Sequence, residues 1–180
     1  MTNPNSAQSA SKLVIRPEND VDADGITRVL IEAFGGNVEV DLVHALRNNG
    51  ALTISFVACV SGEIVGHVAF SPMHADGQPD REDLLGLAPV AVLPKWQRRG
   101  IGATLVQRGL DECRRRGVAA VFVLGDPTFY RRFGFMPAHT QGFRCVYDAP
   151  NAFQLLALAD EGVLPPAGLI RYRPEFDSLP

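Results

Sequence analysis

The segment Val90-Ala91-Val92-Leu93-Pro94-Lys95-Trp96-Gln97-Arg98-Arg99-Gly100-Ile101-Gly102-Ala103 decides how the chain folds. Its first residues continue a nearly all-apolar run from Leu84 to Leu93, the composition of a strand covered on both faces, and Pro94 stops it. Residues 100–117 then read as a helix. Ile101, Leu105, Gly109 and Cys113 fall at four-residue spacing, Val106 and Leu110 lie beside them, and Gly117 closes the C-terminus. Val118 to Leu124 is a second apolar strand, and strand, helix, strand in that order predicts a right-handed parallel crossover. The first N–H groups of such a helix have no internal partner, and its dipole is positive at that end. Gly100 and Gly102 let a ligand approach the main chain, and Arg98 and Arg99 add charge. The turn therefore has the chemistry of a pyrophosphate cradle. Two other phosphate loops fail: no G-K-S or G-K-T occurs, and position 105, where a dinucleotide fingerprint wants glycine or alanine, is Leu105.

Upstream, Leu13-Val14-Ile15 reads as a short strand before Pro17. A helix capped by Asp20, Asp22 or Asp24 carries Ile26, Val29, Leu30 and Phe34 on one face and ends at Gly35-Gly36. A second helix runs from about Val40 to Leu46. Strands from Leu52 to Val60 and Glu63 to Phe70 are joined by Ser61-Gly62, a tight-turn pair, and His74 to Asp83 reads as a loop. On the second strand, alternation puts Val65, His67, Ala69 and Ser71 on one face and Ile64, Gly66, Val68 and Phe70 on the other. Downstream, Pro127 opens a short helix through Arg132 that Gly134 ends, and strands follow at Phe153 to Leu158 and Leu169 to Arg173.

Composition bounds the function. The 180 residues are 46% hydrophobic and 21% charged, which fits one globular domain over residues 12–180 behind a disordered N-terminal tail of residues 1–11. The tail lacks the basic flank and apolar run of a signal peptide, and no apolar stretch reaches the ~18 residues of a membrane span. A net charge of −3 argues against a nucleic-acid partner, and nothing argues for a membrane partner. Charge is nonetheless concentrated: Lys95 to Arg132 holds nine basic residues against three acids, a pattern for a local anionic ligand. Arg114, Arg115 and Arg116 are read as a solvated helix face. Cys59, Cys113 and Cys145 suit neither a disulfide framework nor a metal site, so free thiols, no metal and a cytoplasmic location are expected.

Two motifs carry a resemblance. Gln97-Arg98-Arg99-Gly100-Ile101-Gly102 resembles the Q/R-x-x-G-x-G/A acetyl-CoA signature of GNAT-type N-acetyltransferases. Tyr130-Arg131-Arg132-Phe133-Gly134-Phe135 resembles that family's Y-x-x-x-G-F element, and the run L-G-D-P-T-F-Y-R-R-F-G-F looks like its YhbS-like bacterial branch. The order of elements agrees from Leu13 to Phe135. The resemblance implies an α/β fold with a mixed, mostly antiparallel sheet of about six or seven strands flanked by helices. It implies that main-chain N–H groups of Arg98, Arg99, Gly100, Ile101, Gly102 and Ala103, beside Gln97, hold the pyrophosphate of acetyl-CoA. Val90, Ala91 and Val92 would pair with the pantetheine arm, one of their N–H groups polarising the thioester. Tyr130 would protonate the departing thiolate, a task suited to a phenol that stays protonated at neutral pH.

The implied reaction is acetyl transfer to a primary amine, small or on a protein, by direct attack in a ternary complex, since no cysteine adjoins the motif. A homodimer is compatible with such a domain. Two departures stand out. The Asn often found seven residues before the tyrosine is Val123, and the strand from Leu84 to Leu93 lacks the family's glutamate base. Glu32, His67 and Asp126 are candidates, each with a structural alternative: a solvated face, a hydrogen-bonded core histidine and a helix cap. Without a base, the rival reading is a catalytically silent acyl-CoA-binding sensor or interaction module.

Overall fold

The computed structural model describes residues 12–159 and 163–178, so the expected tail of residues 1–11 lies outside the described residues. Strands and helices are numbered in chain order. The main sheet has seven strands, in the spatial order β1 (Leu13–Pro17), β2 (Ile54–Val60), β3 (Glu63–Pro72), β5 (Leu84–Val92), β6 (Ala120–Leu124), β8 (Phe153–Ala157) and β7 (Met136–Pro137). Neighbours are antiparallel throughout except β5 and β6, which are parallel. That pair is the expected crossover, and its helix is α3 (Ile101–Arg115).

Glycines set how closely α3 lies on the sheet. A Cβ at Gly109 would fall 2.2 Å from Phe70 Cε2, and one at Gly66 would fall 2.9 Å from Leu105 Cδ1. The buried stripe is the one its sequence period predicts: Ile101, Leu105, Val106, Gly109, Leu110 and Cys113. On the opposite side of the sheet lie α1 (Ala23–Phe34) and α2 (Val38–Asn48), the latter two residues longer at each end than its apolar period suggests. Asp22 stands at the N-cap of α1 but gives its carboxylate to Arg16, at 2.6 and 2.8 Å, and to the Asn19 N–H at 2.8 Å.

Two bulges redirect side chains. Ala58 pairs with Gly66 but Cys59 pairs with Ile64, so Val65 is an extra residue on β3. Ile64 is thereby turned towards α1, where a Cβ at Gly25 would fall 2.7 Å from its Cδ1, and leaves the face that simple alternation gives it. On β5, Val90 pairs with Val68 but Leu87 with Phe70, which makes Ala88-Pro89 the bulge. A proline, having no N–H to donate, suits that place.

The C-terminal third covers a second core on the α1 and α2 side of β6 and β8. There Phe122 stacks on Phe153 at 5.5 Å and meets Phe143 edge-on at 5.7 Å. Two expectations change here. The predicted strand at Leu169 to Arg173 shortens to β9 (Ile170–Arg171), and its partner is β4 (His74–Ala75), inside the predicted loop. Two residues are too few to show alternation, which also hid β7. Cys59, Cys113 and Cys145 are free.

Candidate active site

The functional geometry begins where β5 leaves β6. The two strands pair only from Leu84 with Ala120 to Gly86 with Phe122, whereas β5 stays paired with β3 as far as Val92. Beyond Gly86 the sheet is therefore forked, with the bulge on one arm. Main-chain direction along that arm follows from one bond: Leu93 N–H donates to the Val65 carbonyl at 2.9 Å, towards β3. Alternation then sends the Ala91 N–H towards β3 as well, and those of Val90 and Val92 into the fork. Gln97 Nε2 donates to the free Val92 carbonyl at 3.0 Å and so ties the following turn to the strand.

That turn is shaped by two left-handed residues, Arg98 at φ 59° and Gly100 at φ 82°. Gly100 offers no side-chain cap to α3, and Thr104 N–H is bonded to the Gly100 carbonyl at 2.9 Å. The N–H groups of Ile101, Gly102 and Ala103 are left facing the cleft. Gly102 borders it without crowding: a Cβ there would meet Val92 Cγ2 at 3.6 Å, Phe129 Cζ at 3.9 Å and Val90 Cγ1 at 4.0 Å.

The cleft encloses about 610 Å³ between the two arms, bounded by the turn, the start of α3 and α4 (Pro127–Tyr130). Of the residues predicted for the site, Val90, Val92, Gln97, Arg98, Gly100, Ile101, Gly102, Ala103 and Tyr130 line it. Ala91 and Arg99 do not. Ala91 turns its main chain to β3, and Arg99 lays its guanidinium over the Trp96 ring at 4.9 Å. Trp96, Gly125, Phe129 and Arg132 line the cleft without having been predicted, Arg132 lying 4.8 Å over the Phe129 ring. Their signal was there in part, since Phe129 and Arg132 flank Tyr130 within the quoted motif. Arg98, Arg131 and Arg132 make no ion pair among the described residues, while Arg114, Arg115 and Arg116 pair with Asp111 and Glu112. The solvated-face reading of those three holds.

Tyr130 is buried, its ring edge-on to Phe129 at 4.9 Å and to Phe135 at 5.6 Å. Gly125 makes the seat, because a Cβ there would fall 2.5 Å from Tyr130 Cε2. Burial pushes the phenol up to about 12. Its hydroxyl has no hydrogen-bond partner among the described residues.

The base candidates part company. Glu32 is exposed on α1. Asp126 lines the cleft and also caps α4, its Oδ1 accepting from Thr128 N–H at 2.8 Å. His67 is fully buried on the α1 and α2 side, its Nε2 2.9 Å from Ser55 Oγ and 3.5 Å from Glu18 Oε2. Ser55 Oγ donates to Glu18 at 2.5 Å, so it accepts from a protonated Nε2, and Nδ1 is the bare nitrogen. Burial lowers the His67 pKa, against the pull of Glu18, and the ring is neutral at pH 7. Among the described residues no group of three or more His, Cys, Asp or Glu side chains could hold a metal, and no helix is long and apolar enough to cross a membrane.

Comparison with known proteins agrees with this geometry. The model of the acetyltransferase (GNAT) family matches residues 24–135. The N-acetyltransferase YhbS of Escherichia coli K12 is 41% identical over 169 residues, 92% of this chain and 99% of that protein. The N-acetyltransferase YjhQ of the same strain is 37% identical over 72% of this chain and 74% of its own. The crystal structure of E. coli YhbS in complex with CoA superposes with a TM-score of 0.87 at 38% identity, covering 98% of this chain and 96% of that one. A GNAT acetyltransferase from Brucella melitensis in complex with acetyl-CoA gives 0.79 at 36% identity, over 93% and 99%.

Proposed function

The chain belongs to the GNAT family of acetyltransferases, and we propose that it carries the acetyl group of acetyl-CoA to a primary amine by direct attack within a ternary complex. One observation carries the reading: the fork between β5 and β6, the uncapped start of α3 and the Tyr130 phenol open into a single cleft. The CoA and acetyl-CoA bound in the two relatives support the choice of cosubstrate. The pyrophosphate lies against the N–H groups of Ile101, Gly102 and Ala103, with Arg98 beside it. The pantetheine arm takes the place of the missing strand partner along Val90 and Val92, and one of their N–H groups polarises the thioester carbonyl.

The amine nitrogen forms a bond to the carbonyl carbon, the carbon–sulfur bond breaks, and Tyr130 protonates the thiolate while the amine proton leaves through water. The proton transfer has to be energetically reasonable. An ordinary thiol near ~8.5 would be mismatched with Tyr130 by roughly 3.5 pKa units, a penalty of about 5 kcal/mol. Desolvation of the sulfur in the cleft would narrow that gap, because burial disfavours the thiolate relative to the thiol. A thiolate formed in a closed cleft is a far stronger base than one in water.

The absence of any ionisable side chain on β5 favours the silent binding module. Thiol release from acetyl-CoA, measured over a panel of polyamines, small monoamines and lysine peptides, separates the two. Release that depends on an amine supports transfer; tight acetyl-CoA binding without it supports the module.

A further inference from the structure

Among the described residues, the polar or charged side chains that are buried are Asp22, His67, Ser71 and Gln154. Gln154 stands on β8 between Phe153 and Leu155, which face the second core, so it shares the other face with Leu156, whose cluster contains Tyr130 and Phe135. A carboxamide in apolar surroundings costs stability unless its hydrogen bonds are met, so its partners account for its presence.

The partner is the main chain of Gly125. Strands β6 and β8 pair as far as Leu124 with Phe153, and one more bond follows, from Gly125 N–H to the Ala152 carbonyl at 3.0 Å. An antiparallel pair of that kind exchanges two bonds. The return bond is not made, because Ala152 N–H turns back to the Ala149 carbonyl at 3.0 Å. Gln154 replaces it: Nε2 donates to the Gly125 carbonyl at 3.1 Å and lies 3.4 Å from the Ala152 carbonyl. One side chain closes the end of the ladder.

Gly125 is where that closure matters. It lines the cleft, and a Cβ on it would fall 2.5 Å from Tyr130 Cε2 and 3.5 Å from Cζ, the carbon that bears the hydroxyl. It also leads directly into Asp126 and α4. The Tyr130 hydroxyl has no hydrogen bond among the described residues to hold it, so the contacts of its ring fix where the proton lies. Phe129 and Phe135 touch that ring with side chains, whereas Gly125 meets it with main chain. We infer that Gln154 is a positioning residue for Tyr130: by holding the Gly125 carbonyl it fixes the seat from which the phenol reaches the leaving sulfur. This rests on Tyr130 being the acid of the proposed transfer. Gln154 itself does not line the cleft.

The test is a cycle of four full chains: wild type, Gln154→Met, Tyr130→Phe and the double variant. Methionine keeps the length of the side chain and removes the donor, and Gln154→Leu takes its place where the methionine variant does not fold. The kcat of Gln154→Met should fall about tenfold, the scale of a shift well under an ångström, with acetyl-CoA affinity within about twofold. In the Tyr130→Phe background the same substitution should change kcat by less than about twofold, since no acid is left to misplace. The melting temperature should fall equally in both backgrounds. A purely structural glutamine would lower the rate alike in both, and that result overturns the inference; so does a Gln154→Met kcat within about twofold of wild type. Fluorine NMR separates the seat from the chemistry. Labelling with 3-fluorotyrosine gives a resonance for each of the 3 tyrosines, and Tyr130→Phe identifies that of Tyr130. Gln154→Met should shift or broaden it and leave that of Tyr147 in place; an unmoved Tyr130 resonance overturns the inference whatever the kinetics. If Tyr130→Phe proves as fast as wild type, the acid reading fails, and the resonance still decides whether Gln154 holds the seat.

Discussion

On the β1 to β3 side of the sheet, Glu18, Ser55, His67 and Arg47 are bound to one another at 2.5, 2.9 and 3.0 Å, and only His67 Nδ1 is left over. At the fork between β5 and β6, the N–H groups of Val90 and Val92, the start of α3 and the hydroxyl of Tyr130 all stand without partners. Both regions hold polar groups in a largely apolar core. A satisfied network holds strands and helices together; an unsatisfied set of donors, all converging on one cavity, has its partner outside the chain. The contrast also sorts the base candidates, since His67 is committed to the closed network.

The contrast breaks most visibly at Tyr130. Tyr130→Phe keeps the ring in its Gly125 seat and removes only the unpartnered proton. We expect kcat to fall by roughly 10²–10⁴ with CoA affinity and melting temperature nearly unchanged. A rate within about threefold of wild type would take Tyr130 out of the chemistry. The raised pKa adds a pH signature. With the acid at about 12, the rate should climb as the amine loses its proton and show no descending limb up to pH 10.

Next in size is Gly102→Val. The space around a Cβ at Gly102 is ordinary contact at 3.6–4.0 Å, so the fold should tolerate the substitution, but the isopropyl group occupies the approach to the α3 N–H groups. Calorimetry should show CoA affinity reduced by about 10- to 100-fold, the loss of one or two charge-assisted hydrogen bonds. Unchanged affinity in a folded variant would move the pyrophosphate elsewhere.

The closed network should answer through stability instead. Ser55→Ala strands Glu18 and His67, which should cost about 1–3 kcal/mol and leave kcat alone. Its pH behaviour has a definite sign. His67 is held neutral in the fold, so the unfolded chain takes up its proton first, and His67 stability is lost as pH falls below the unfolded value near ~6.5. For Glu18, burial pushes the pKa up, but bonds from His67, Ser55 and Arg47 outweigh it and bring it to about 2. Its contribution is therefore full above the unfolded value near ~4.3 and disappears as pH falls towards 2. Urea midpoints at pH 7, 5.5 and 4 should decline in that order, and a flat series would show the network to be neutral in effect.

What could be read from the sequence follows from how locally each feature is encoded. The period of α3, the apolar runs of β5 and β6 and the turn at Ser61-Gly62, which takes φ of 50° and 82°, are local and were legible. The Val65 and Ala88-Pro89 bulges were not, since a bulge is a property of two strands in register. Nor was β4 with β9, a two-residue pairing between segments almost a hundred residues apart. The motif drew attention to Tyr130 because its neighbours are part of the pattern.

The smallest effect is expected at Asp126, which belongs to both regions at once: it lines the cleft, and its carboxylate is already engaged as the α4 cap. Asparagine caps a helix about as well as aspartate but cannot take up a proton. Asp126→Asn should therefore keep the melting temperature and hold kcat within about threefold, far from the 10²–10⁴ of a general base. Asp126→Ala should cost about 1 kcal/mol through the lost cap, and some rate, because α4 carries Tyr130. The two variants thus separate capping from proton transfer. If Asp126→Asn lost as much rate as Tyr130→Phe while melting like wild type, a carboxylate bound within the fold would also be the base. The division between satisfied structural groups and unsatisfied reactive ones would then fail at the residue where the two regions meet.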